Sequence, residues 1–87
     1  MKEQKNICPC CGYYEFDQGP GSYQICPICY WEDDKIQRTN PDYKGGANTL
    51  SLNECRHNYM KFGACEERFV ALVRKPTREE IENAKNV

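Results

Sequence analysis

The sequence predicts a small α+β domain: a β-hairpin carrying two cysteine turns, one main helix in the C-terminal half, and a short terminal helix. Three observations carry this expectation. Two C-x₂-C pairs, Cys8/Cys11 and Cys26/Cys29, flank strand-forming residues interrupted by a turn. Ser51 opens a helical pattern that closes at Gly63. The chain has 87 residues, enough for one domain, and chains of this size commonly add a metal or disulfides to a marginal core.

In chain order, residues 1–6 read as a polar, flexible tail and 7–87 as a single domain. Tyr13-Tyr14-Glu15-Phe16 is rich in strand formers. Asp17 to Ser22 contains Gly19-Pro20-Gly21 and reads as a turn. Tyr23-Gln24-Ile25 then leads into the second cysteine pair, so a hairpin between these two strands would bring the pairs together at its open end. The stretch from Gln37 to Asn48, with Asn40-Pro41-Asp42 and Gly45-Gly46, reads as an ordered loop with little regular structure. Ser51 and Glu54 have capping-box spacing, and Leu52, Cys55, Tyr59 and Phe62 recur at helical intervals. Phe69 to Val73 is apolar and ambiguous between helix and strand, and Pro76 ends it. Thr77 and Glu80 repeat the capping spacing ahead of a polar helix over about 78–85. Leu52, Tyr59, Phe62, Phe69 and Leu72 are the expected apolar contact beside the hairpin.

Cysteine usage carries the chemistry. Seven cysteines, an odd number, follow an N-terminus without an apolar signal segment. That points to a reducing, cytoplasmic setting in which cysteines act as metal ligands or free thiols. The two pairs are separated by residues 12–25, slightly less than the usual zinc spacing, and a tight hairpin absorbs the difference. Four thiolates suit tetrahedral zinc at about 2.3 Å, each C-x₂-C turn supplying two corners. Pro9 and Pro27 fix φ after the first cysteine of each pair. Gly12 suits a left-handed position closing the first turn, whereas Tyr30 stands at the equivalent place in the second. Cys8, Cys11, Cys26 and Cys29 are therefore the expected ligands of a structural Zn²⁺. Cys10 is expected to point outward, Cys55 to be a small core residue and His57 to be exposed. A second metal on Cys10, Cys55, His57 and Cys65 is disfavoured, because positions 55 and 57 do not share a helix face.

Three stretches carry a family resemblance: Cys8-Pro9-Cys10-Cys11-Gly12-Tyr13, Tyr23 through Asp34, and Gly45 through Leu52. Over residues 7–80 the chain resembles the small bacterial cysteine-rich proteins of the CPCC family. The resemblance implies a bacterial cytosolic protein with a zinc-ribbon-like site, and it implies no reaction. Cys11-Gly12-Tyr13 and Cys26-Pro27-Ile28-Cys29 are also similar to rubredoxin, which makes iron the minor alternative metal.

Other features bound the function. With 12 basic and 13 acidic side chains and a net charge of −1, the chain lacks the positive field that non-specific nucleic-acid binding uses. No apolar run approaches the roughly 18 residues of a membrane span. Trp31, Glu32, Asp33 and Asp34 form a possible interaction surface, an aromatic anchor with three carboxylates; the competing reading has Trp31 cover the cysteine site. Asp33, Asp34 and Asp42 lack the spacing of a calcium loop. Gly45-Gly46-Ala47-Asn48 reads as a turn delivering the chain to Ser51. His57 with Ser51 or Asp42 is the only hydrolase-like set. The leading expectation is a small structural-zinc protein that binds a protein partner. The alternatives are a small enzyme, either a hydrolase or a rubredoxin-like iron redox carrier, and a nucleic-acid-binding zinc ribbon.

Overall fold

The computed structural model describes residues 5–85. Residues 1–4 of the expected tail, and 86 and 87, lie outside the described residues. The fold is small α+β. A two-stranded antiparallel sheet pairs β1 (Asn6–Ile7) with β2 (Tyr14–Phe16). Helices α1 (Lys35–Thr39) and α2 (Leu52–Phe62), a 3₁₀ helix (Glu67–Leu72) and α3 (Arg78–Lys85) follow.

The expected partner of β2 is corrected. Tyr13–Phe16 does not pair with Tyr23–Ile25; β2 pairs with β1 across the first cysteine turn, in the register Asn6↔Phe16 and Ile7↔Tyr14. The segment Tyr23–Ile25 instead pairs across the second turn. Ile25 bridges Glu32, and Asp33 N donates to Gln24 O at 2.8 Å. The physical reason is local. Each C-x₂-C turn is itself a reverse turn, so its two flanks already run antiparallel and close together. Two small hairpins result, one around each cysteine pair.

Both sequence-derived helices form. α2 carries the full capping box, with Glu54 N donating to Ser51 Oγ at 3.1 Å and Ser51 N to Glu54 Oε1 at 3.0 Å. It ends at Gly63, whose φ of 84° is left-handed. α3 is capped the same way by Thr77 and Glu80. The ambiguous stretch around Phe69 is the 3₁₀ helix. α1 is an addition to the expected loop: Asp34 Oδ1 accepts from Ile36 N at 2.8 Å and Gln37 N at 3.1 Å, a side-chain N-cap.

The core is unusual in content. Phe16, Ile28, Trp31 and Leu52 are its large buried apolar side chains; Cys8, Cys10, Cys26, Cys29, Cys55 and Cys65 fill most of the rest. Phe16 and Trp31 sit 6.5 Å apart in a tilted pair. Tyr59 and Phe69 pack against this cluster from the side. Of the other expected core residues, Phe62 is half-buried and Leu72 is 59% exposed. The buried cluster is built from cysteines and Trp31 in place of these two residues.

Candidate metal centre

The two cysteine turns are built alike. In the first, Gly12 N donates to Cys8 O at 2.8 Å and Cys8 N to Tyr13 O at 2.8 Å. In the second, Tyr30 N donates to Cys26 O at 2.8 Å and Cys26 N to Trp31 O at 3.0 Å. The closing residue is left-handed in both, with φ 85° at Gly12 and 72° at Tyr30. Glycine takes this conformation freely; a bulky residue there costs roughly 1–3 kcal/mol. Tyr30 is held in place by its ring, which packs against Phe69 at a centroid distance of 4.6 Å. Such a pair contributes about 0.5–1.5 kcal/mol beyond area burial.

Each turn is also tied to the C-terminal half. Arg56 Nε donates to Pro9 O at 2.9 Å, and Arg74 N donates to Pro27 O at 3.1 Å. Cys65 N donates to Cys29 O at 2.7 Å. The result brings the sulfurs of Cys8, Cys11, Cys26 and Cys29 within 4.8 Å of one another. Cys8 Sγ lies 3.6 Å from Cys29 Sγ, and Cys11 Sγ lies 3.7 Å from Cys26 Sγ. A tetrahedral ion with metal–sulfur bonds of about 2.3 Å requires sulfurs about 3.8 Å apart. The donor set therefore fits a tetrahedral thiophilic metal ion.

The protons of these sulfurs are shared unequally. The Cys26 thiol is lowered, chiefly by its hydrogen bond with Cys11. Cys11 is raised, chiefly by its hydrogen bond to Cys26, and Cys29 chiefly by one with Cys10. Ile28 N adds a 3.4 Å hydrogen bond to Cys26 Sγ. Four adjacent negative sulfurs repel one another, and a divalent cation among them would offset that repulsion.

The remaining cysteines adjoin the site. Cys10 is buried rather than outward-pointing, packed beside Cys29. Cys55 and Cys65 are buried next to each other, the Cys65 thiol being raised by a hydrogen bond with Cys55 and then by burial. His57 is exposed, so no four-ligand set of Cys10, Cys55, His57 and Cys65 assembles. Among the described residues, the cluster of Cys8, Cys11, Cys26 and Cys29 is the one group of metal-ligating side chains.

The expected interaction surface at Trp31, Glu32, Asp33 and Asp34 is corrected. Trp31 and Asp33 are fully buried, Asp34 nearly so, and only Glu32 is partly exposed. Asp33 accepts from Arg38 Nη2 at 2.9 Å and from Gly21 N at 3.2 Å. Asp34 caps α1 and takes Ala47 N at 2.8 Å on its other oxygen. Asn48 pairs with Glu32, accepting from its N at 2.9 Å and donating to its O at 2.8 Å. The acidic run and the Gly45–Asn48 turn are thus two halves of one polar network, with Asp33, Asp34 and Asn48 buried within it. Gly46 shows how close they lie: a Cβ there would meet Asp34 Oδ2 at 2.5 Å and Gln37 Cδ at 3.0 Å. The sequence signal was present as Asp34 three residues before Gln37, the spacing of a capping box.

The hydrolase-like set is brought to one place without being connected. Asp42, Ser51 and His57 line an open cleft of about 680 Å³. Ser51 Oγ is engaged as the α2 cap, and Asp42 Oδ1 accepts from Asn53 Nδ2 at 2.9 Å. Among the described residues, no hydrogen bond joins His57 to Ser51 or Asp42.

One carboxylate near the site is perturbed. Glu15 on β2 is buried, and burial raises it to about 7, reinforced by Glu80 and opposed by Arg74. Arg74 lies 3.7 Å from Glu15 but binds Glu80 at 2.8 Å, and Glu15 Oε2 has no partner among the described residues. A raised carboxyl stabilises the fold fully below its ordinary value of 4.5 and loses that contribution as pH rises to about 7. The stability gained by Glu15→Gln over the unmodified protein should therefore grow across this window, by at most about 1.4 kcal/mol per pH unit, and level off above it. Paired thermal melts at successive pH values measure it, and a difference independent of pH would contradict it.

Among the described residues, no helix is long and apolar enough to cross a membrane. A family model described as Cysteine-rich CPCC matches residues 6–80. No curated protein matches the chain.

Proposed function

We propose that this chain, which belongs to the cysteine-rich CPCC family, is a structural-zinc module that acts by binding a protein partner. The observation that carries the metal reading is the group of four cysteine sulfurs within 4.8 Å, with its two close approaches of 3.6 and 3.7 Å. Cys8, Cys11, Cys26 and Cys29 would hold the ion. Four protein ligands complete its shell, which is the arrangement of structural and not catalytic zinc. Zinc is favoured over iron as the common occupant of paired C-x₂-C turns in a small domain. Elemental analysis of purified protein should find one zinc per chain and a colourless solution. A coloured protein containing iron would replace this reading with the electron-carrier alternative.

The partner reading draws on what stays exposed around the second cysteine turn. Tyr23 (60% exposed) and Ile25 (47%) precede the turn, and Ile36 (59%) follows it. Exposed aromatic and branched side chains of this kind form the centre of protein interfaces. Replacing Tyr23 and Ile25 by serine should weaken an isolated partner at least about tenfold while leaving the melting temperature unchanged. Unchanged affinity in that variant would remove these residues from the interface. Binding to DNA or RNA that weakens steeply with salt would favour the nucleic-acid alternative instead.

A further inference from the structure

The seven cysteines differ in one respect that matters for chemistry. Cys8, Cys26, Cys29, Cys55 and Cys65 are at most 1% exposed and Cys10 is 7% exposed, whereas Cys11 alone is partly open to solvent. The two close sulfur pairs differ in the same way. Cys8 and Cys29 meet in the interior, while Cys11 and Cys26 meet at 3.7 Å in a partly buried position. Reactivity toward oxidants requires a thiolate together with access. A cysteine held by a metal is ionised at neutral pH, so Cys11 combines charge with exposure. Cys55 and Cys65 lack that access: both are sealed in the interior, at most 1% exposed.

We propose that Cys11 is the site at which hydroperoxides oxidise this protein, with Cys26 as the resolving sulfur. The inference rests on the metal reading above, because the bound ion keeps Cys11 ionised. In the first step the Cys11 thiolate attacks the O–O bond, forming a sulfenic acid and releasing one hydroxide (from hydrogen peroxide) or alkoxide. In the second, the Cys26 thiolate attacks the Cys11 sulfur, forming the disulfide and releasing hydroxide. Two sulfurs lose two electrons, and one peroxide bond takes them up. The sulfurs start 3.7 Å apart and close to about 2.05 Å in the disulfide. The disulfide removes two of the four ligands and leaves Cys8 and Cys29, so oxidation also discharges the metal.

The sequence makes the test clean. Cleavage after glutamate puts Cys11 in peptide 4–15, Cys26 in peptide 16–32, and both Cys55 and Cys65 in peptide 55–66. Purified protein is first assayed for bound metal, then treated with limiting hydrogen peroxide, alkylated, cleaved and analysed by fragmentation mass spectrometry. The expected product links Cys11 to Cys26, with metal released in step as read by a chromogenic chelator. In the untreated protein, iodoacetamide should label Cys11 at least about tenfold faster than any other cysteine. Prior formation of a Cys55–Cys65 or Cys8–Cys29 disulfide, or equal labelling of several cysteines, would overturn the proposal. A variant with Cys10, Cys55 and Cys65 all replaced by alanine, assayed as metal-loaded before treatment, should give the same link and release; loss of the reaction there would also overturn it. A protein that contains no metal before peroxide is added defeats the metal reading itself. One that contains the ion but spares Cys11 defeats only this inference.

Discussion

Protein in which Cys8, Cys11, Cys26 and Cys29 are all serine should show no cooperative melting transition, and chelation of the metal from the native protein should do the same. The reason lies in what the interior is made of. Its large apolar side chains are Phe16, Ile28, Trp31 and Leu52, and its other buried apolar residues are six cysteines and Ala64. Burying one large apolar side chain stabilises by about 1.5–3 kcal/mol, so four supply little against the conformational entropy of a whole chain. Closing a four-thiolate zinc site contributes an apparent 10–16 kcal/mol or so in small peptides, and this becomes folding energy. Serine at the four positions removes that contribution and places hydroxyls where three of the sulfurs are fully buried. Circular dichroism melts with and without chelator, beside the tetraserine variant, measure the effect. Identical melting in all three would show that the sulfurs do not hold the fold together.

The second large effect should come from Gln37→Leu, with a loss of about 3–6 kcal/mol. Gln37 is fully buried. Its Nε2 donates toward Tyr43 O at 3.2 Å, Asn48 O at 3.0 Å and Leu50 O at 3.1 Å. Its Oε1 accepts from Asn48 N at 3.1 Å and Asn48 Nδ2 at 2.9 Å. One side chain thus satisfies most of the interior-facing backbone of the 43–50 loop. Leucine fills the same space but leaves the buried Asn48 groups, and the part-buried Tyr43 and Leu50 carbonyls, without this partner, at a cost of roughly 1–3 kcal/mol for each buried group. Urea denaturation of the metal-loaded variant reads the loss, and hydrogen exchange should show amides 43–50 exchanging faster. A loss below about 1 kcal/mol with unchanged exchange would mean that the loop is ordered by something else.

Much of this architecture was legible because its signals are local. Ser51 with Glu54, Thr77 with Glu80, and Gly63 after Phe62 each announce a helix end through backbone chemistry alone, and the structure forms each end there. The four cysteines that come together were likewise grouped by spacing. What was missed depends on contacts between distant segments. The flanks of each cysteine turn pair with each other, which composition cannot distinguish from one larger hairpin. α1 has five residues and an exposed Ile36, too short for a hydrophobic period to register. Asp33 and Asp34 look solvated by charge, yet Arg38, Gly21 and Ala47 satisfy them internally. Cys10 was expected outside because an isolated turn projects it there; the packing of α2 and the Cys65 segment against the turns encloses it.

The left-handed Tyr30 has a consequence for how the halves of the molecule communicate. A glycine would sit there with less backbone strain, but it would have no ring to lay against Phe69. The local discomfort is therefore exchanged for a rivet between the second cysteine turn and the 3₁₀ segment some forty residues later. With that rivet in place, loosening either end is felt at the other, so the two halves should come apart in a single step and not in sequence.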